Sequence, residues 1–325
     1  MKPNRLLPTL LLALLSSVGS GALAQSDFPN KPIRLIVGFT AGGISDVLGR
    51  ALAAKLSSNI GQQVIVENKP GAGTTIAGEY TARATPDGYT LFLQDITTHA
   101  INASLYSKLP YDSVKDFTPV ALVASTPLML VVHPSTPVKN VKELITLLKV
   151  NPGKYSYGSS GNGTILHLTG ELFKSVAALD VLHVPYKGSA PATQAILGGE
   201  IAFVFSTMPP AVSHVKSGRL RALAVTTPAR VATAPEVPTM IEAGVPKFEI
   251  VLYSGVLGPA HMPQAVVSRL NAEFAKVVAS PEIKEVYMRL GADPIQTSPE
   301  KFGTRILDDI AQFAPVVKAS GAKVD

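Results

Sequence analysis

Residues 33–56 read IRLIVGFTAGGISDVLGRALAAKL. Ile33 to Val37 is apolar apart from Arg34, short and β-rich, and predicts a strand. Gly38 to Ser45 is a loop of small residues, and Asp46 to Leu56 predicts a helix. A strand that enters a helix through such a loop is the repeating unit of α/β folds built on largely parallel sheets.

The unit recurs outward from this point. Strands are expected at Gln63 to Glu67 and Thr90 to Leu93, and then at Tyr155 to Gly158, Val181 to Val184, Ile201 to Phe205 and Leu220 to Thr226. Helices are expected at Val141 to Val150, Thr164 to Val176 and Ala190 to Leu197. The chain end is helical, with Val267, Leu270, Phe274 and Val278, then Phe302, Ile306, Ile310, Phe313 and Val317, at three-to-four spacing. Two apolar runs, Ala121 to His133 and Glu249 to Leu257, are long enough to leave one sheet and enter another. They divide the chain into a discontinuous first domain, 26–126 with 249–325, and an inserted second domain, 127–248.

The N-terminus carries Lys2 and Arg5, an apolar run from Leu10 to Leu15, and Ala22-Leu23-Ala24. Charge, a short apolar core and an A-x-A site make residues 1–24 a secretory signal peptide, with Gln25 first in the mature chain. The run is too short for the roughly 20 apolar residues of a membrane span. Losing Lys2 and Arg5 lowers the formal charge from +6 to +4. The remaining Lys and Arg are scattered and there is no Trp, so nucleic acid is not an expected partner. A mild positive field helps to draw in an anion. With no cysteine, disulfides, thiolate metal sites, a cysteine nucleophile and a lipidated N-terminal Cys are all excluded.

Three loops combine small residues, hydroxyls and backbone N–H groups where a strand ends and a helix begins. They are Thr40-Ala41-Gly42-Gly43-Ile44-Ser45-Asp46, Gly158-Ser159-Ser160-Gly161-Asn162-Gly163-Thr164 and Pro185-Tyr186-Lys187-Gly188-Ser189-Ala190. In open α/β sheets such loops line the cleft at the strand carboxyl ends. Glycines let a backbone approach a ligand and take positive φ, expected at Gly42 and Gly43, and a helix start favours an anion. Ser45, Asp46, Thr164 and Ser189 also read as helix N-caps and the glycines as turn residues. Asp46 is read as a cap, because a carboxylate beside an anion site repels the ligand.

Catalysis and cofactors are not expected. Ser159, Ser160 and His167 lie close in sequence, but the nucleophile elbow G-x-S-x-G is missing. Gly71-Ala72-Gly73 would need its third glycine where Ile76 stands, which breaks the dinucleotide fingerprint. His99, His133, His167, His183, His214 and His261 are dispersed, without the spacing of a metal site.

At the same loops the sequence closely resembles the substrate-binding proteins of tripartite tricarboxylate transporters, the Bug receptors. The matching stretches are IRLIVGFTAGGISDVLGR, VIVENKPGAGT, ATPDGYTL, THAINASLY, LPYDSVKDFTPVALVAS, YGSSGNGT with HLTGELFK, VPYKGSAPA, LRALAVT, EVPTMIEAGVP and RLNAEF, spread over nearly all of the mature chain. The resemblance implies a type II-like periplasmic binding fold, two α/β domains joined by two crossing strands around a ligand cleft. It implies a small carboxylate ligand: a di- or tricarboxylate, an acidic amino acid, or an aromatic or nicotinate-like acid. It also implies a monomer that serves membrane permease subunits, or alternatively docks on a sensor kinase.

By the resemblance, Thr40, Ala41, Gly42, Gly43 and Ser45, with Ser159, Ser160, Gly161, Gly163 and Thr164, hold one carboxylate. Tyr186 and Lys187 come from the third loop. Thr97, Thr98 and His99, and the stretch after Ile201 to Phe205, shape the rest of the pocket. That stretch is Ser206-Thr207 where many members carry Asp, and the segment at Tyr253 lacks the Trp often found there. A missing Asp argues against recognition of a ligand ammonium group.

Overall fold

Strand β1 (Ile33–Val37) has the bounds its sequence predicts and is buried except at Arg34, whose guanidinium pairs with Glu67 at 2.6 Å. The computed structural model describes residues 28–186, 188–231 and 233–322; the predicted signal peptide and Lys187 lie outside the described residues. β1 runs parallel between β2 (Val64–Asn68) and β3 (Thr90–Asp95). Helix α1 (Ile44–Ile60) starts two residues before the predicted Asp46 and ends at Gly61 in the left-handed conformation. Its Leu48, Leu52 and Leu56, at helical spacing, join Ile33, Leu35 and Val37 in one core. Helices α2 (Thr75–Ala82) and α3 (Ile96–Leu105) follow β2 and β3; neither was expected from sequence.

The first apolar run is a 16-residue strand, β4 (Phe117–Val132). Its first part, Phe117 to Pro127, pairs antiparallel with β9 (Val251–Pro259), the second run. Its last part, Leu128 to Val132, pairs with β7 (Phe203–Thr207) on one side and β8 (Arg221–Val225) on the other. One strand therefore belongs to two wings of a ten-stranded sheet, whose main path is β2-β1-β3-β9-β4-β7-β5 (Ser156–Ser159)-β6 (Leu182–Pro185), with β8 and a short strand at Asp293–Pro294 branching from β4.

The second wing holds β5 (Ser156–Ser159) in parallel between β7 and β6 (Leu182–Pro185). Around them lie α4 (Val141–Lys149), α5 (Ile165–Ala177), α6 (Ser189–Leu197) and α7 (Met208–Lys216), the last unpredicted. Leu128, Leu130, Tyr157, Phe173, Phe203 and Phe205 fill its core. The chain closes with α8 (Gln264–Ala279), α9 (Pro281–Leu290), the short β10 (Asp293–Pro294) on β4, and α10 (Pro299–Ser320). Ile101 and Leu105 of α3, with Phe313 and Val317 of α10, enter the second wing's core.

The strands meet at Thr226. Its hydroxyl donates to the Ile250 carbonyl at 2.6 Å and accepts the Leu128 N–H at 3.1 Å, tying the two crossing runs together where they change wing. Among the described residues no helix is long and apolar enough to cross a membrane.

Candidate functional site

In the β1–α1 loop only Gly42 takes positive φ, +84°; Gly43, at φ −76°, is the N-cap of α1 and makes no side-chain cap bond. The expectation of positive φ at both glycines is corrected accordingly. Asp46 is not the cap either. Its carboxylate accepts the Gly42 N–H and the Asn68 Nδ2, both at 2.9 Å, and pairs with Arg50, so it braces the loop from below. Burial alone lifts its pKa, but the Arg50, Gly42 and Asn68 donors outweigh that and hold it below the ordinary carboxylate value. Thr40, Ala41 and Gly42 stay exposed, while Ser45 is buried in the first turn. The amides of Ile44 and Ser45 have no intrahelical carbonyl to bond.

The other two loops are joined to each other. Tyr186 N–H donates to the Ser159 carbonyl at 3.0 Å and Gly188 N–H to the Ser160 carbonyl at 3.1 Å. This brings Ser159, Ser160 and Gly161 beside Tyr186 at the heads of α5 and α6. Thr164 caps α5, accepting the His167 N–H and donating to the Gly161 carbonyl at 2.9 Å. Ser159 is wholly buried, with its hydroxyl bonded to His183 Nε2 at 2.7 Å and to the Gly161 backbone. The Gly163 N–H donates to His167 Nδ1 at 3.0 Å. The accessible polar surface of the loop is therefore the exposed Asn162 with the half-buried Ser160 and Gly161, and Gly163 and Thr164 are buried behind it.

Gly163 has φ +75°, and a Cβ built there falls inside the Leu105 side chain of α3. It is a close-packing position between helix and loop. At Gly42 and Gly188, both with positive φ, an added Cβ meets no atom within 4 Å.

Thr97, Thr98 and His99 form the first turn of α3 and are almost wholly buried. Asp95 caps that turn, accepting the Thr97 N–H at 3.0 Å and the Thr98 hydroxyl at 2.6 Å. Burial lifts Asp95 to about 6. His99 bonds the Ser113 carbonyl through Nε2 at 2.8 Å and stacks on Tyr111, and burial pushes its pKa down to about 4. Ser206 and Thr207 end β7, both buried, with the Ser206 hydroxyl donating to the Thr207 carbonyl. Tyr253 is half-buried beneath the Arg305 guanidinium, 4.4 Å from its ring centroid, and Arg305 pairs with the buried Asp309 of α10.

Sequence reading missed His183 as the partner of Ser159, Leu105 as the wall against Gly163, and Thr226. Each acts through a contact far along the chain, and none carries a local signal. Two concavities of about 620 Å³ lie elsewhere, one lined by Arg34, Tyr80 and Arg83, the other by Glu171, Lys174 and Pro315. Among the described residues no three His, Cys, Asp or Glu side chains gather to hold a metal.

Comparison with known proteins agrees with this architecture. Residues 48–322 match the family described as the tripartite tricarboxylate transporter family receptor, TctC. BugT of Bordetella pertussis is 34% identical over 325 residues, all of both chains. An R. palustris protein solved with adipate is 35% identical, with a TM-score of 0.86 over 92% of this chain and 100% of its own. MatC of Rhodopseudomonas palustris, solved with bound malate, is 29% identical, with a TM-score of 0.83 over 89% of this chain and 100% of its own. The family is one of substrate-binding receptors, not enzymes, and BugD, 33% identical with a TM-score of 0.83 over 91% of this chain and 99% of its own, is a periplasmic binding protein. From β1 to α10, then, the chain belongs to the TctC receptor family and has the two-wing α/β fold of periplasmic binding proteins.

Proposed function

We propose that the chain is exported through its signal peptide and captures a small dicarboxylate in the periplasm for delivery to membrane permease subunits. One observation carries the reading. The β5–α5 and β6–α6 loops are locked together by two backbone hydrogen bonds, so the heads of two helices present Ser160, Gly161, Tyr186 and Gly188 side by side. Two helix starts set side by side suit a carboxylate, through the first-turn amides that have no intrahelical carbonyl and through the helix dipoles. Relatives of the same fold hold adipate and malate, which are dicarboxylates. Ser206 and Thr207 supply no charge for a ligand ammonium group, which favours plain acids over amino acids.

In this reading the wings are domains, 26–126 with 249–325 and 127–248. The first supplies Thr40 to Ser45; the second supplies Ser159 to Thr164, Tyr186 and Lys187. Thr97, Thr98, His99 and Tyr253 shape and support the pocket from the first domain, Ser206 and Thr207 from the second.

A thermal-shift series on ligand-stripped protein tests the chemistry. Adipate or malate is expected to raise the melting temperature, and the dimethyl esters are not. An acid at 100 times its Kd adds about 2.7 kcal/mol of stability. Esters that match their acids would remove the anion site from the reading.

Closure is tested separately. The Thr226 junction leaves two strands between the wings, a geometry that permits a hinge while limiting twist. Contacts from both domains favour the closed state, so saturating acid is expected to reduce the radius of gyration in solution scattering. Unchanged curves, with binding verified by calorimetry, would place the acid within one wing.

A further inference from the structure

The β5–α5 loop is held from inside the second wing by two histidines that come from different elements. His183 lies on β6 and His167 in the first turn of α5. Their rings stack with centroids 3.9 Å apart and planes 13° from parallel. Each ring spends a nitrogen on a different end of the same loop: His183 Nε2 on the Ser159 hydroxyl, His167 Nδ1 on the Gly163 N–H.

An Nδ1 that accepts a backbone N–H carries no proton, so His167 is neutral. A second neutral ring can stack on it without like-charge repulsion. Burial, the main cause, pushes His167 to about 4 and His183 to about 3, which keeps both neutral in ordinary buffers. Tyr157 stacks on His183 at 4.9 Å, donates to Glu171 at 2.7 Å, and Glu171 pairs with Lys174 at 2.8 Å. The pair is thus enclosed by an aromatic ring and an ion pair. An apolar side chain would fill the same volume; it would not bond Ser159 or Gly163.

We infer that His167 and His183 are a positioning pair, which sets the backbone from Ser159 to Gly163 in the shape that receives the ligand carboxylate. The inference rests on the reading of that loop as part of the carboxylate site. The histidines touch the loop and not the acid, so their removal should change affinity through the loop's shape.

The test compares His167→Leu and His183→Leu with His167→Asn and His183→Gln, which return a polar atom near the lost nitrogen. Calorimetry with adipate and malate gives Kd, and hydrogen exchange reports the amides of Ser160 to Thr164 without any acid present. The leucine variants are expected to weaken acid binding by roughly tenfold or more and to speed loop exchange, with the Asn and Gln variants recovering much of both. Acid affinity and loop exchange unchanged in folded leucine variants would overturn the inference. Should those variants fail to fold, His183→Asn, which keeps a polar side chain but is too short to reach the Ser159 hydroxyl, replaces them and leaves the Ser159–Gly161 bonds in place. Faster exchange confined to the loop then supports the inference, and unchanged exchange overturns it. Wild-type protein that binds neither acid would defeat the carboxylate reading itself, and the inference with it. Binding by the wild type with no loss in the leucine variants defeats only the inference.

Discussion

Gly163→Val is expected to destabilise the fold by about 2–5 kcal/mol, the combined scale of an overpacked core position and a β-branched residue forced to positive φ. From sequence alone the same substitution is expected to damage binding more than folding, with the new side chain taking the place of a carboxylate. The structure points the other way. Gly163 sits at φ +75° with its missing Cβ directed into Leu105, which is only 3% exposed and has little room to move. Gly42→Ala is the contrasting substitution, since the position has φ +84° and open space where the methyl group would go. It should cost about 1 kcal/mol of stability, from the backbone alone, and weaken acid binding. Urea midpoints at constant slope, read beside Kd, separate the two. A Gly163→Val protein within about 0.5 kcal/mol of wild type would contradict the packing argument.

Stability should also fall as the solution is acidified from about pH 6.5 toward 4. Burial holds His99 and His167 near 4 and His183 near 3, against 6.5 in the unfolded chain. In that window the unfolded state binds protons that the native state refuses, so acid favours unfolding. Asp95 works in the opposite sense, because its native carboxyl keeps a proton up to about 6 while the unfolded group releases it near 3.8. Asp309, also raised by burial, adds to Asp95. Three histidines against Asp95 leave a net uptake of about two protons on unfolding, or about 2–3 kcal/mol per pH unit near pH 5, a slope that Asp309 lowers. Urea titrations at pH 7, 6, 5 and 4.5 measure this slope. A flat profile would mean that the histidines are hydrated in the native state.

The parts of the fold that sequence reveals are those with a periodic signal. Ile33 to Val37 is a parallel strand buried except at Arg34 and reads as an apolar run broken only by that residue, and α1 shows its core face at Leu48, Leu52 and Leu56. Helix α3 escapes because it is buried on nearly every side: Ile96 to Asn102 is inaccessible throughout, so no polar face alternates with an apolar one. Helix α7 follows β7 directly, with no loop to mark its start. At the candidate site the loops were legible from their glycines and hydroxyls, but the role of each residue was not. Gly42 and Gly43 are chemically identical, and only the path of the chain puts one at positive φ and the other at the cap. Ser159 reads as a donor to a ligand until β6 brings His183 beneath it.

The place of β9 in the sheet bears on how the chain comes to fold. It lies between β3 and β4, pairing Phe92 with Leu257 on one side and Leu122 with Gly255 on the other. Until residues 251–259 have been made, β3 and β4 present open edges with no strand to join them. Pairings this distant along the chain carry a large loop-closure cost and make folding slow. A nascent chain lacking its last quarter cannot complete the first wing, and the second wing's core also waits for Phe313 and Val317 of α10. Strand order therefore ties completion of both wings to the C-terminal segments, so neither core closes until the last part of the chain has been made.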